Sequence, residues 1–205
     1  MSRYFFICFL ARILLKSLFR IRIRGAENIP RAGPFIIAPN HISFLDPVAV
    51  GAFTPRDLHY ASRETLFDIP FLSWLLRICQ SFPMRQDRPR LGTIKRILSI
   101  FKSGEGFLIF PEGTRSINGK LLRGNPGLGM LASVSAVPVI PTLIMGTEKA
   151  LPIGARWIRL EKIQIQFGKP VLPAPVEENR DRRQTYQALT DEVMKRIKGL
   201  QNHRE

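Results

Sequence analysis

Short apolar runs of strand length recur along this chain, and between them the apolar residues shift to helical spacing, a pattern that demands a sheet covered by helices. Phe35 to Ala38, Leu58 to Ala61, Gly106 to Phe110 and Val137 to Met145 are such runs. Ile21 and Ile23 alternate with arginines before them, and Ile163 to Phe167 alternates after. Val48 to Phe53, Glu64 to Cys79, Leu91 to Lys102 and Leu128 to Val134 read as helices, the second kinked or broken at Pro70. Pro83 to Arg90 and residues 117–127 read as loops, and Val176 to Glu205 as an amphipathic helix on a solvated face. The expected fold is α/β, with a mixed, largely parallel sheet flanked by helices. A chain of 205 residues without repeats accommodates one such domain, 21–205, behind an N-terminal helix at 1–20.

Charge narrows the function. Lys plus Arg number 31 against 16 acids, a net +15, yet 45% hydrophobic residues and 14 Phe exclude a chain kept disordered by repulsion. Two cysteines, Cys8 and Cys79, exclude a disulfide framework and a four-ligand zinc site, so a reducing compartment and no metal are expected. A basic protein can serve nucleic acid, an anionic membrane or an acidic small substrate. Here the aromatics sit among aliphatics instead of interleaving with Lys and Arg, which argues against nucleic acid. Residues 1–24 hold Arg3, Arg12, Lys16, Arg20, Arg22 and Arg24, many large apolar residues and no acid. Their uninterrupted apolar run ends at Ala11, short of the ~20 residues a spanning helix needs. An amphipathic helix lying in the interface of an anionic membrane fits better, and a helix packed on the core is the alternative. No small-x-small cleavage site follows the run, so it does not read as a removable signal.

In α/β sheets ligands gather beyond the carboxyl ends of the strands. Two strand ends here carry polar residues. After Phe35 to Ala38 comes Asn40-His41-Ile42-Ser43-Phe44-Leu45-Asp46-Pro47. His41 and Asp46, five apart, meet only if the chain turns between them, and Asp46-Pro47 suits a helix start. One carboxylate oxygen would then cap the helix and the other fix the imidazole tautomer, leaving a basic ring nitrogen. On spacing alone, a solvated histidine beside a capping aspartate is the better reading. After Gly106 to Phe110 comes Pro111-Glu112-Gly113-Thr114-Arg115-Ser116, where backbone N–H groups near Gly113 and Thr114 and the Arg115 fork suit a phosphate, with Arg85 and Arg88 adding charge. Each alone is weak, since loop arginines are usually solvated and Glu112 could be an ordinary cap.

The order of these segments carries a resemblance. Asn40 to Asp46, then Arg63-Glu64-x-Leu66 with Pro70-Phe71 and Phe82 leading to Arg85, then Phe110 to Ser116, then Val137-Pro138-Val139-Ile140-Pro141 resemble the four ordered blocks of the glycerolipid acyltransferase superfamily, over about residues 20–170. Among its members the bacterial ones that acylate lysophosphatidic acid are most similar. The resemblance implies transfer of a fatty acyl group from an acyl-coenzyme A or acyl carrier protein thioester to a lysophospholipid hydroxyl, without a cofactor. It implies His41 as general base and Asp46 as its partner. Arg85, Glu112, Gly113, Thr114 and Arg115 fall at acceptor-phosphate positions and Pro141 in the fourth block, with Asn40, Ser43 and Arg88 as support. Two departures stand out. Pro83-Met84 replaces the apolar-acidic pair usual before the second-block arginine, and Asn125 falls where many members carry a lysine, leaving Lys120 or Arg123 as substitutes. The implied setting is the cytoplasmic face of a membrane, in a bacterium the inner one, held peripherally or monotopically. The alternatives are the same chemistry on another lysophospholipid or on glycerol 3-phosphate, and a non-catalytic basic module binding nucleic acid or lipid.

Overall fold

The computed structural model describes residues 3–85, 91–155, 157–174 and 181–201. In chain order the elements are α1 (Arg3–Leu18), β1 (Arg20–Arg24), β2 (Phe35–Pro39), α2 (Asp46–Phe53), β3 (Leu58–Arg63), α3 (Pro70–Ile78) and β4 (Ser81–Met84). There follow α4 (Leu91–Lys102), β5 (Gly106–Leu108), α5 (Pro126–Ser135), β6 (Val139–Met145), α6 (Thr147–Ala150), β7 (Lys162–Phe167) and α7 (Arg182–Leu200). The strands form one sheet in the order β1-β7-β6-β2-β5-β3-β4. β6 and β7 pair antiparallel and the other neighbours parallel, the mixed, largely parallel sheet the sequence predicts.

Alternate residues of the central strands feed two cores. Phe35, Ile37, Ile140 and Ile144 face α1 and α2, whereas Ile36, Ala38, Val139 and Leu143 face α4, α5 and α7. β2 is buried along its whole length, which is why Phe35 to Ala38 reads as a continuous apolar run. Its carboxyl end lies at the middle of the sheet, where the two polar loops meet.

Two elements depart from the sequence reading, and a third holds an unusual residue. β4 occupies Ser81–Met84, where the sequence suggested no strand and a loop from Pro83. It is an edge strand, the place where a proline's missing N–H breaks no inner ladder. α6 is a single turn, too short to leave a periodic signal. Pro141 sits inside β6, between two neighbours, where proline is normally excluded. Thr142 pairs with Phe167 and Val139 with Val171, so the facing chain gains one residue there, and the bulge falls where Gly168 N–H donates to Pro141 O at 2.7 Å.

α1 packs on the sheet and also presents apolar residues outward. Tyr4, Leu15 and Phe19 are buried in the core, and the Tyr4 hydroxyl bonds that of Tyr60 at 3.1 Å while accepting Leu58 N–H at 3.2 Å. Arg12 donates from Nε to Ala52 O at 2.7 Å. The opposite side exposes Phe5, Phe6, Phe9, Ile13 and Leu14. The packing role raised for this segment is therefore present, beside an outward apolar side. Among the described residues no helix is long and apolar enough to cross a membrane.

Candidate active site

Asn40 closes β2 by imitating a strand residue with its side chain: Nδ2 donates to Ile144 O at 3.0 Å and Oδ1 accepts Ile144 N–H at 2.7 Å. This fixes the start of the next loop, where the chain folds around the Asp46 carboxylate. Oδ2 accepts from His41 Nδ1 at 2.8 Å and from the backbone N–H groups of Ile42 and Ser43 at 2.7 and 2.8 Å. Oδ1 accepts the Thr147 hydroxyl at 2.6 Å. The contact expected between His41 and Asp46 is there, but the expected division of labour is not. Leu45 is the cap position of α2, no side chain caps it, and Asp46 is its first residue. The capping oxygen proposed from sequence is instead taken by Thr147 and by the turn itself.

A wholly buried carboxylate is costly unless hydrogen-bonded, and four donors meet that need here. Because a carboxylate only accepts, His41 Nδ1 carries the proton and Nε2 is left with its lone pair. The imidazole stacks on Phe110, with centroids 3.7 Å apart and planes 14° apart, and keeps 17% of its side chain exposed. Its tautomer and its plane are both set, and Nε2 has no hydrogen-bond partner among the described residues.

The second loop locks onto the first. Ser116 N–H donates to His41 O at 2.8 Å. Glu112 Oε1 accepts His41 N–H at 3.0 Å and Oε2 accepts Leu122 N–H at 2.9 Å, so this side chain braces the histidine loop against the chain that follows. Burial pushes its carboxyl above the ordinary range, and the two N–H donors oppose that. Gly113 turns the chain at φ 70 with its N–H bonded to Phe110 O at 3.1 Å, so that amide is engaged in the turn. Thr114 is exposed. Arg115 lies over the Phe44 ring, 3.6 Å from the centroid, and its Nη1 is buried with no hydrogen-bond partner. A guanidinium nitrogen without a partner beside an exposed aromatic plane has the donor chemistry that suits an anion.

The remaining positions are scattered. Ser43 donates its hydroxyl to Leu151 O at 2.9 Å and ties the loop to the chain after α6. Arg85 is exposed just past β4, three strand positions or about 14 Å from β2, and Arg88 lies outside the described residues. Lys120 is exposed. Arg123 lines an open groove of about 490 Å³ with Glu112 and the start of α7. Asn125 caps α5, accepting Gly127 N–H at 2.9 Å. Pro141 lies in β6 opposite the bulge in the chain after β7, well back from the strand end. Sequence reasoning missed Thr147, and gave Phe44 and Phe110 no role of their own within the motifs that contain them. Gly146, at φ 91 and with Lys162 O where a side chain would be, was the available signal for Thr147: a forced turn at the end of the longest apolar run. The cysteines lie on the α1 side of the sheet, and burial pushes the Cys79 thiol up to about 11 and Cys8 upward too.

The Acyltransferase family model matches residues 20–145. The 1-acyl-sn-glycerol-3-phosphate acyltransferase of Bacillus subtilis (strain 168) is 25% identical over 192 residues, 93% of each chain. The chloroplastic protein of that name from Arabidopsis thaliana is 31% identical over 165 residues, 78% of this chain but 46% of the plant one. The chain thus spans about half the length of the plant relatives it matches. The crystal structure of the 1-acyl-sn-glycerophosphate (LPA) acyltransferase PlsC from Thermotoga maritima superimposes with a TM-score of 0.78 at 26% identity, over 97% of this chain and 80% of that one.

Proposed function

The chain belongs to the Acyltransferase family, and from that premise we propose that it acylates the free sn-2 hydroxyl of lysophosphatidic acid to give phosphatidic acid, drawing the acyl group from acyl-coenzyme A or acyl carrier protein. The relatives' names support the acceptor. The observation that carries the mechanism is the His41–Asp46 pair, with Nδ1 committed to a buried carboxylate and Nε2 left open. A thioester is already activated, so one oriented base suffices. His41 Nε2 takes the proton of the acceptor hydroxyl as its oxygen bonds the thioester carbonyl carbon. The carbon–sulfur bond then breaks, and the departing sulfur receives the proton from His41. An acyl-cysteine intermediate is disfavoured, because thiols with raised pKa carry little thiolate at neutral pH. Arg115 holds the acceptor phosphate, its unpaired Nη1 gaining the partner it lacks. The outward side of α1 lies on the lipid surface that holds the acceptor, helped by Lys16 and Arg20.

Purified protein offered a panel of lysolipids and glycerol 3-phosphate, with each donor, tests this reading. It expects fastest turnover on lysophosphatidic acid, with phosphatidic acid as the product. A faster reaction on an acceptor without a phosphomonoester would overturn the acceptor assignment.

A further inference from the structure

Tryptophan is ordinarily among the most buried side chains on average. This chain has two, and both are open to solvent: Trp74 is 57% exposed and Trp157 83%. Neither stands alone. Trp74 projects from α3 beside Phe71, which is 72% exposed, and near Ile69. Trp157 is followed by the exposed Ile158 and Leu160 in the segment between α6 and β7.

The topology puts these patches on either side of the crevice and on the face that carries α1. β3-α3-β4 is a parallel crossover running in the same direction across the sheet as β2-α2-β3, so a right-handed connection places α3 on the same face as α2. On the other flank, Ala150 of α6 is buried in the core shared by α1 and α2, and β7 begins beside β1, where α1 ends. α3 starts, and the Trp157 segment lies, at the carboxyl-end edge of the sheet that carries His41.

Charge indicates what meets these patches. Residues 69–85 contain no acid and include Arg77, which lies over Phe67, and residues 149–160 contain no acid and include Lys149 and Arg159. Tryptophan flanked by aliphatics and arginine is the chemistry of a lipid–water interface, where the ring sits at headgroup depth and the cation meets phosphate. We propose that Trp74 and Trp157 are two interfacial anchors that, together with α1, seat the mouth of the crevice on an anionic lipid surface from both flanks. The inference rests on the reading of α1 as a lipid-facing helix and adds two contact elements to it.

The two tryptophans report on themselves. In the full chain, Trp157→Phe leaves Trp74 as the probe and Trp74→Phe leaves Trp157. Each is mixed with phosphatidylcholine vesicles with and without phosphatidylglycerol. Both emissions should shift blue and be quenched by brominated acyl chains, more strongly with phosphatidylglycerol. Replacing both residues by Ser should lower vesicle partitioning about tenfold, with turnover on a short-chain soluble acceptor unchanged. If either emission is unmoved at lipid concentrations that sediment the protein, that anchor is refuted. A dimer in sedimentation velocity that dissociates in the double Ser variant, with no vesicle response, would make a second copy the occupant instead. Failure to acylate lysophosphatidic acid would sink the proposed reaction while leaving these fluorescence outcomes to stand or fall separately.

Discussion

Asp46 shows how much a single buried carboxylate can organise: one oxygen gathers His41 and two backbone amides, and the other is held by Thr147 from the far end of β6. A hydrogen bond to a charged group is worth about 1.5–3 kcal/mol, so Thr147→Val should lower kcat roughly tenfold or more while leaving the acceptor KM near normal. Thr147→Ser should restore turnover, which a merely steric role for the methyl group would not allow. Arg115→Lys keeps the charge but loses the planar fork over Phe44, and the acceptor KM should rise about tenfold. A raised donor KM with the acceptor KM unchanged would move Arg115 to the other substrate. Glu112 makes a prediction in pH. Its folded carboxyl is raised above the ordinary value by burial, so the native state holds that proton more tightly than the unfolded chain. The associated stability is complete below the unfolded value and is lost as pH rises through the folded one. Urea unfolding of wild type and Glu112→Gln should therefore show their stability difference moving against wild type as pH climbs just past the ordinary carboxylate range. The His41–Asp46 spacing was legible in the sequence; for Thr147, Gly146 marked only the turn, because its contact with Asp46 spans 101 residues and depends on the strand order.

At the scale of elements, α1 packs one side on the core and leaves the other apolar and exposed. Removing residues 2–19 would strip Tyr4 and Leu15 from the core and orphan Leu58 N–H, so that deletion should destabilise the whole domain in thermal unfolding. Phe9→Ser with Ile13→Ser alters only the outward side. It should leave the melting temperature nearly unchanged while weakening sedimentation with anionic vesicles, and undiminished binding would return α1 to a packing role alone. The buried strands and α4 were readable because their apolar runs were long or cleanly periodic. β4 was missed because Pro83 reads as a breaker until the strand is known to lie at the sheet edge. The break at Pro70 was readable, since the ring fixes the first turn of α3 and forbids a helix running through it.

On the scale of the molecule, the sheet serves to bring two loops from neighbouring strands, β2 and β5, to one place, and Glu112 and Ser116 fasten them there. The family, the α/β fold and the two loops were all in the sequence. The division of donors around Asp46, the engaged Gly113 amide and the orphaned Arg115 nitrogen were not, since each depends on which chain segments end up facing one another. The net charge of +15 gives the whole surface a reason to approach anionic lipid. Vesicle binding should weaken as salt is raised toward and beyond physiological ionic strength, and salt-insensitive binding would leave only the apolar contribution. The central claim is that one oriented imidazole carries the chemistry. It is tested most directly by the turnover of His41→Ala on lysophosphatidic acid with its thioester donor, measured beside acceptor binding to the same variant. General-base catalysis is worth roughly 10²–10⁴-fold, so kcat should fall by that order with acceptor binding preserved, whereas near-normal turnover would contradict the mechanism outright.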